Sequence, residues 1–503
     1  MTKSHLLRFL MLLAVLAIVF GGGLLPRAGA ADWQDPVGGD FDDETKWVGG
    51  VVPGDTDDAI FNTGGAYDVL FNGDQTTATL QIVNGDVRLQ SAVDPDNPGI
   101  IHNYTLDTGV TLGTLLGDSG ILRISDLNVD TNGGMEILGG SGLFLQAGGT
   151  LSVTGTLNAA DGSLELNGGR LTVGELIIDE DNGAFINFIG GTLDITGLTG
   201  LTIGLNGTLG SDLLFAVGDG QTINITETTT VEDGTTLRIN GGEFTTGALD
   251  LSGGGELDFA AGTLGFTGPE LEIGAGGPLG AGFTLGPGRT LNVSNETRVP
   301  GGESLNIDGG DFTTNTLVFD GPGAGINLVS GTASFNNLFT RNGSEVVFGA
   351  GNNFIVPGEI IIGEDGTGST LLIEDGGTVE SADGAIGDLL GADGEVIVRG
   401  VGSRWTMTDN GAKFQIGNNG DGTVRVLEGG EIFADGANIG DETTSTGTLI
   451  VDGPGSLYGK SSDPSKNVDV GFRGTGSLTI TNEGRVEAMG HVVGKAAGTE
   501  NSD

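Results

Sequence analysis

The sequence predicts an all-β protein, a single-stranded parallel β-helix (a solenoid) whose coils stack along one axis. The first observation is a repeated phrase, an aliphatic residue followed by glycine. It begins at six positions, Ile362, Ile386, Ile416, Ile439, Val470 and Val493. Alternate members recur at a nearly constant spacing of about 54 residues, and self-similarity at a fixed period is typical of repeat architectures.

The second observation is strict alternation of apolar and polar residues between these phrases. Val424 and Val426 flank Arg425, for example, which places one face of a short strand in a core and the other in water. The strands end at Asp-Gly, Glu-Gly-Gly or Asn-Glu-Gly, turn sequences that accept positive φ. The phrases follow one another at intervals that suit one β-helix coil, whereas a propeller blade usually needs about 40 residues. We expect a right-handed coil, although nothing in the residues specifies the hand.

Composition supports this fold and limits the function. The 503 residues include 99 glycines and no cysteine, and apolar residues recur regularly between the glycines, which indicates corners rather than disorder. Acidic residues outnumber basic ones 67 to 20. Such a surface repels phosphate backbones, so we expect no nucleic acid partner. The charge also keeps an elongated protein dispersed.

Residues 1–30 read as a secretory signal peptide. Lys3 and Arg8 precede an apolar run from Phe9 to Phe20, and small residues at 28–30 supply a cleavage site. The run is short for a membrane span, so we expect an exported protein, extracellular or on the cell surface, without a span in the mature chain. No cysteine follows the run, which argues against a lipid anchor. Stacking rather than disulfides must therefore stabilise the chain.

Residues 31–99 differ in composition and predict an N-terminal capping module. They contain Trp33, Trp47 and a dense acidic run from Asp40 to Glu44. A solenoid needs an atypical first unit to cover its open end. We expect the two indoles to serve this cap; stacking on a sugar ring is the alternative. A Pro- and Asp-rich loop, 94–99, marks the boundary.

Residues 100–357 predict degenerate coils with a longer period. Asn167-Gly-Gly, Asn240-Gly-Gly and Asp308-Gly-Gly recur at a spacing of about 70 residues, a super-repeat of about three coils. Residues 358–503 predict regular double-coil repeats with the shorter period of about 54 residues. They stop at Asp503 inside an expected repeat, so we expect a truncated chain or an end that something else covers. An exposed last coil would favour self-association, because its backbone groups are unpaired.

The unit in 358–503 resembles a known repeat. It combines the aliphatic-Gly start, a Gly-Thr/Ser strand, a Gly-Gly turn and Gly-x-Gly-Ser before Trp405 and, one unit later, Tyr458. This pattern is similar to repeats of type V secretion (autotransporter-like) and PEP-CTERM-associated exported bacterial proteins. The resemblance implies a secreted or surface β-solenoid passenger and carries over no catalytic residue. The sequence shows neither the outer-membrane barrel nor the sorting tail of such proteins.

Catalytic constellations are scarce. The two histidines after residue 30, His102 and His491, have no obvious partner nearby in sequence, and the lack of cysteine argues against the usual zinc sites. We therefore assign no catalytic, cofactor-binding or metal-ligating residue. Structural calcium remains an alternative because Asp365-Gly366, Asp393-Gly394 and Asp421-Gly422 recur about once per coil, although turn geometry alone explains them.

The function that these patterns favour is non-enzymatic. We expect an adhesin-like or structural surface protein that presents ladders of Thr, Asn and Asp along flat faces, with surface polysaccharide or other envelope proteins as partners. A polysaccharide-degrading β-helix enzyme is the alternative, since such enzymes use paired carboxylates. Because basic residues are sparse in the middle of the chain, cleavage of acidic polymers is disfavoured.

Overall fold

The computed structural model describes residues 29–93, 97, 99–113, 118–179, 182–204, 207–208, 214–409, 413–459 and 467–493, with side chains through 490. Nearly all of the predicted signal peptide, most of loop 94–99, the side chain of His491 and the end of the chain lie outside these residues. The chain forms two compact units, residues up to Ile195 (unit 1) and from Thr196 onward (unit 2). Each unit is a parallel β-solenoid, so the predicted fold class is confirmed.

Unit 1 consists mostly of short strands, and the strands of each coil pair in parallel with those of the next coil. They are β1 (Ala30–Trp33), β2 (Gly39–Asp40), β3 (Asp58–Phe61), β4 (Ala66–Phe71), β5 (Gln75–Ile82), β6 (Asn84–Ser91), β7 (His102–Leu112), β8 (Ser119–Ser125), β9 (Leu127–Thr131), β10 (Gly134–Ile137), β11 (Gly142–Gln146), β12 (Thr150–Ala159), β13 (Ser163–Ile178) and β14 (Phe185–Ile195). A short 3-10 turn, Glu44–Lys46, interrupts the first coils, and the Asp43 side chain caps it.

The core of unit 1 is a stack of apolar columns. One column runs through five coils in parallel register, Val69, Leu89, Ile124, Leu145 and Leu166, and each of these side chains is fully buried. Pairing continues past the predicted boundary at residue 99, since β5 pairs with β7 and β6 with β8. Within each strand, side chains alternate between the core and the surface, and this alternation decides which residues are buried.

Aromatic residues fill the first coils of unit 1. Trp33 and Trp47 lie edge to face with ring centroids 5.1 Å apart, and their indole N–H groups donate to the carbonyls of Asp35 and Phe41. Both side chains are buried, so neither indole presents a face on which a sugar could stack.

Unit 2 begins with longer strands and continues with shorter ones. They are β15 (Leu201–Ile203), β16 (Leu214–Gly218), β17 (Gln221–Val231), β18 (Thr236–Asp250), β19 (Glu256–Phe266), β20 (Glu270–Glu272), β21 (Thr284–Leu285), β22 (Arg289–Pro300), β23 (Ser304–Asp320), β24 (Gly325–Arg341), β25 (Glu345–Phe348), β26 (Asn353–Asp365), β27 (Ser369–Ile373), β28 (Thr378–Ile386), β29 (Asp393–Arg399), β30 (Arg404–Met407), β31 (Phe414–Ile416), β32 (Asp421–Leu427), β33 (Glu431–Phe433), β34 (Ala437–Ile439), β35 (Thr446–Asp452), β36 (Leu457–Gly459), β37 (Val468–Val470), β38 (Thr475–Thr481), β39 (Arg485–Val486) and β40 (His491–Val493).

The first part of unit 2 has a three-coil period. Phe244 pairs with Leu264, Leu264 with Leu291, and Leu291 with Phe312. Three coils therefore separate the Gly-Gly corner before Phe244 from the corner before Phe312, which accounts for the spacing of these two motifs in the sequence. At each corner a glycine has positive φ, for example Gly241 (+106°) and Gly309 (+92°).

The second part of unit 2 stacks the aliphatic-Gly phrase on itself. Ile362, Ile386, Ile416, Ile439, Val470 and Val493 pair in one continuous register, and the first five side chains are buried. We call these residues the aliphatic column. The glycines that follow the first five share φ between +65° and +72°. Two of the stacked side strands end in turns whose two central residues both have positive φ, Asp375-Gly376 and Glu428-Gly429.

Two of the Asp-Gly pairs expected to form turns do not. Gly394 and Gly422 lie inside β29 and β32 and are not in the positive-φ region. A Cβ on Gly394 would lie 2.1 Å from the carbonyl oxygen of Ile362, and one on Gly422 would lie 2.2 Å from the amide nitrogen of Gly417. Glycine is required there because another segment of backbone passes against the strand.

Candidate functional site

One face of unit 2 carries an array of polar side chains, which we call the polar ladder. Six strands, β17, β18, β19, β22, β23 and β24, each contribute two residues that flank one inward residue. Eleven of these twelve residues carry outward polar side chains, and the twelfth, Gly265, is buried and interrupts the array. The first column is Thr222, Glu243, Thr263, Thr290, Asp311 and Thr332. The second column is Asn224, Thr245, Gly265, Asn292, Thr313 and Ser334.

The inward residues between the columns hold the ladder in place. Ile223, Phe244, Leu264, Leu291 and Phe312 pair with one another in sequence and are fully buried. Because side chains alternate along a strand, burial of this column forces both neighbouring columns outward. A shift of one residue would exchange the two faces, so the apolar column fixes the register of the ladder.

The geometry of the ladder suits an extended ligand. Neighbouring strands in a sheet lie about 4.8 Å apart, so six strands span about 24 Å along the stacking direction. The two columns are separated by two residues along each strand, about 7 Å. Hydroxyl, amide and carboxylate groups thus repeat on a flat surface. Thr332 Oγ1 donates to Asp311 Oδ1 at 2.6 Å. This contact links the last two coils of the first column.

Unit 1 contains a comparable ladder. Asn128 Nδ2 donates to Asn103 Oδ1 at 3.0 Å, Thr150 Oγ1 donates to Asn128 Oδ1 at 2.7 Å, and Asn103 Nδ2 donates to Asp74 Oδ1 at 3.2 Å. Arg170 and Thr192 continue the column. These side chains bond with one another from coil to coil, which occupies part of their capacity to bond with a ligand.

Basic side chains on the surface are largely engaged by carboxylates of neighbouring coils. Arg298 contacts Glu270, Glu272 and Asp320, and Arg341 contacts Glu296 and Glu364. Each exposed pair contributes little to stability, about 0–1 kcal/mol. The excess of carboxylates therefore makes the net surface charge negative, and a negative surface disfavours acidic ligands.

A partly buried carboxylate pair lies in the second part of unit 2. Glu359 and Asp383 are register partners on β26 and β28. Burial raises the pKa of Glu359, and Asp383 adds to this increase. Burial also raises the pKa of Asp383 and nearby Asp409 acts in the same direction, although the Gly384 N–H donates to its carboxylate at 2.7 Å and opposes the shift.

His102, which has no obvious partner nearby in sequence, lies close to a carboxylate from an earlier coil. His102 Nδ1 is 3.8 Å from Asp74 Oδ1, and the backbone N–H of His102 donates to Ser91 Oγ at 2.8 Å. The Ser91 hydroxyl oxygen thus accepts a hydrogen bond from the backbone. Across the described ranges, no group of three or more His, Asp or Glu side chains is arranged to hold a metal ion. No helix in those ranges is long and apolar enough to cross a membrane.

Sequence reasoning predicted polar ladders in general but assigned them no residues. The available signal was the pair Thr222-Ile-Asn224 and Thr290-Leu-Asn292, which recur with the period of the Gly-Gly corners and therefore lie three coils apart. The intermediate members differ in composition, such as Glu243 and Gly265, so only the strand register joins them into one array.

Comparison with known proteins gives one informative similarity. A stretch of 103 residues is 32% identical to the uncharacterized lipoprotein YdeK of Escherichia coli strain K12, and covers 20% of this chain and 7% of that protein. The chain thus matches less than a tenth of the length of this relative. No family model matches the chain. No solved structure matches it either.

Proposed function

We infer that this protein is an exported, non-enzymatic β-solenoid of the bacterial envelope or extracellular space, adhesin-like or structural. The polar ladder carries this proposal, because a rigid array about 24 Å long offers many equivalent weak contacts to an extended polymer. The signal-peptide pattern and the similarity to a lipoprotein support an envelope location. The autotransporter-like and PEP-CTERM-associated resemblance supports a passenger role.

The ligand class that best fits the ladder is a neutral polysaccharide. Hydroxyl and amide groups of Thr290, Asn292 and Thr313 can donate to and accept from sugar hydroxyls. The surrounding carboxylates repel polyuronates. Since each contact is weak, affinity must come from the number of coils engaged at once, and it should therefore rise with the length of the polymer.

Binding of a neutral glucan series of increasing length tests this function. We expect affinity to grow with chain length and to exceed that for a polyuronate of equal length. Replacing Thr263 and Thr290 together by valine should weaken binding about thirtyfold, because each of the two lost hydrogen bonds contributes about 1 kcal/mol. Valine keeps the shape and the strand preference.

The matched control replaces Thr423 and Thr448 by valine. These residues are also half-buried register partners on adjacent coils, but they lie on β32 and β35, away from the ladder. The proposal fails if both double variants bind alike, or if a trisaccharide binds as tightly as the polymer. Reproducible depolymerisation of the glucan, lost on substitution of acidic residues, would instead establish the alternative, a polysaccharide-degrading enzyme.

A further inference from the structure

Strand β24 has an open edge within unit 2. Its first part, Gly325–Ser330, pairs with β23 on one side. On the other side, β24 pairs with β26 only through Leu338–Arg341. The next strand along the chain, β25, belongs to a separate sheet and pairs with β27. Within residues 214–409, all of which are described, Gly325–Ser330 therefore has no second strand partner.

Side-chain exposure shows the same interruption. Ile326 and Leu328 occupy inward positions and are half-buried, whereas their partners Leu305 and Ile307 on β23 are fully buried. Val329 is 66% exposed. Apolar side chains beside unpaired backbone are the features by which a sheet accepts a further strand.

The strands beyond the gap also show unpaired edges. Asn353–Val356 of β26 pair with β28 and not with β24. Val347 on β25 and Ile355 on β26 are 45% and 62% exposed. Exposed apolar side chains thus also occur on the two strands that follow β24 in the chain.

The backbone of β24 is oriented to bond with such a strand. The Gly325 N–H donates to the Glu303 carbonyl, towards β23, at 3.2 Å. Because bonding groups alternate sides along a strand, those of Ile326 point towards the open edge. Unpaired backbone groups at an edge are a template for pairing with another chain.

The opening follows the three-coil period. One period earlier, Glu256–Phe259 of β19 pair with β18, while β21 pairs with β23 and not with β19. Leu257 is half-buried there, as Ile326 is on β24, although Phe259 remains buried. The recurrence at corresponding positions of two periods indicates that the interruption belongs to the repeat.

Charge indicates which strand fits. Residues 301–360, which include β24 and which we call the acidic rim, contain six carboxylates and one basic residue, Arg341, which is engaged by Glu296 and Glu364. A second copy of this chain would bring a net charge of −47 to an acidic rim, which disfavours self-pairing. A cationic strand is attracted to the same rim.

We propose that the open edge of β24 binds an extended peptide segment of another protein, with apolar residues at alternate positions and Lys or Arg between them. The segment adds as a strand along Gly325–Ser330, bonds to the free backbone groups and covers Ile326 and Leu328. This interaction is distinct from the polar ladder, which reaches β24 only through the later residues Thr332 and Ser334 and takes a polymer of a different class.

Titration calorimetry with the full chain and a nine-residue peptide of alternating lysine and valine tests the proposal. We expect binding that weakens with salt and is lost when alternate backbone nitrogens of the peptide are methylated, since methylation removes the edge hydrogen bonds. A peptide of alternating glutamate and valine should not bind. Val329→Lys should weaken binding at least about tenfold, because like charges repel across the rim.

Val401→Lys is the matched control, since Val401 is 87% exposed on a turn distant in sequence from the edge and receives the same charge. Val401→Lys should leave the affinity for the peptide unchanged, and both variants should have the melting temperature of the unmodified protein. Equal binding of the methylated peptide, or equal loss in both variants, would overturn the proposal. So would a dimer in sedimentation that Val329→Lys disrupts while the lysine–valine peptide fails to bind, because a second copy would then be the occupant.

Discussion

The two parts of unit 2 use one architecture with different continuity. In the coils from 369 to 481, the strands of the side sheet pair in unbroken register from β27 to β38, and the aliphatic column accompanies them. In the coils from 221 to 341, one strand segment in each three-coil period, Glu256–Phe259 and then Gly325–Ser330, has a partner on one side only. The short period gives uninterrupted pairing and the long period gives regular gaps.

The two parts also differ in how each coil is anchored to the next. In the second part, four glycines, Gly387, Gly417, Gly440 and Gly471, each donate the backbone N–H to the carbonyl of the preceding column member, as from Gly417 to Ile386 at 3.0 Å and from Gly440 to Ile416 at 2.9 Å. Every coil therefore repeats the same bond. In the first part, the coil from Leu264 to Leu291 is longer than the coils on either side of it, and the strand segment just before this coil, Glu256–Phe259, pairs only with β18.

The largest effect should follow from breaking the aliphatic column at its centre. Ile416 is fully buried between Ile386 and Ile439. Ile416→Asp places an unpaired charge in that column and should lower the free energy of unfolding by several kcal/mol, about 3–5. Urea denaturation measures the loss. Val401→Asp, on an exposed turn, should change stability little, and an unmoved melt for Ile416→Asp would show that the column is not a core.

A second substitution separates backbone strain from collision between coils. Gly417 (φ +71°) and Gly391 (φ +84°) both have positive φ, but a Cβ on Gly417 would lie 2.3 Å from the Thr446 carbonyl oxygen, while one on Gly391 meets nothing within 4 Å. Gly391→Ala should cost about 1 kcal/mol and Gly417→Ala about 3 kcal/mol. Equal losses would mean that the coils can separate without penalty.

A third change tests the buried carboxylates beside the column by pH. The pKa of Asp383 is raised above its usual 3.8 by burial, so its ionised form destabilises the folded state at neutral pH. This penalty is removed as the pH falls through the raised pKa. Asp383→Asn should therefore raise the melting temperature at pH 7, and the gain should shrink towards pH 4.

The control for this change is Glu380→Gln, an exposed carboxylate on the same strand. Glu380→Gln should have the melting temperature of the unmodified protein at pH 7 and at pH 4. A gain for Asp383→Asn that is constant with pH would contradict the titration of this group and point to packing instead.

The smallest effect is expected from removal of calcium. Of the three Asp-Gly pairs, Asp365-Gly366 keeps the turn geometry, and its carboxylate has a protein partner, since the Gly366 N–H donates to Asp365 Oδ1 at 2.7 Å. We expect a chelator to leave the melting temperature of either part unchanged. A fall in melting temperature, reversed by added calcium, would support the structural-calcium alternative.

Particular residues show how far the sequence alone could predict this molecule. Alternation identified Val424 and Val426 as inward residues, and both are buried. The repeated phrase identified the members of the aliphatic column. The turn interpretation of Gly394 and Gly422 was wrong, because their role depends on backbone that lies beside them only after folding.

The sequence by itself determined the period, the inward and outward faces and the corners, because each follows from short-range alternation and from glycine's access to positive φ. Only the tertiary structure decided which polar residues join into the ladder and which strand edge stays open. Both depend on the alignment of one coil with the next, and that alignment is set by hydrogen bonds between residues a full coil apart in the sequence, which no local pattern specifies.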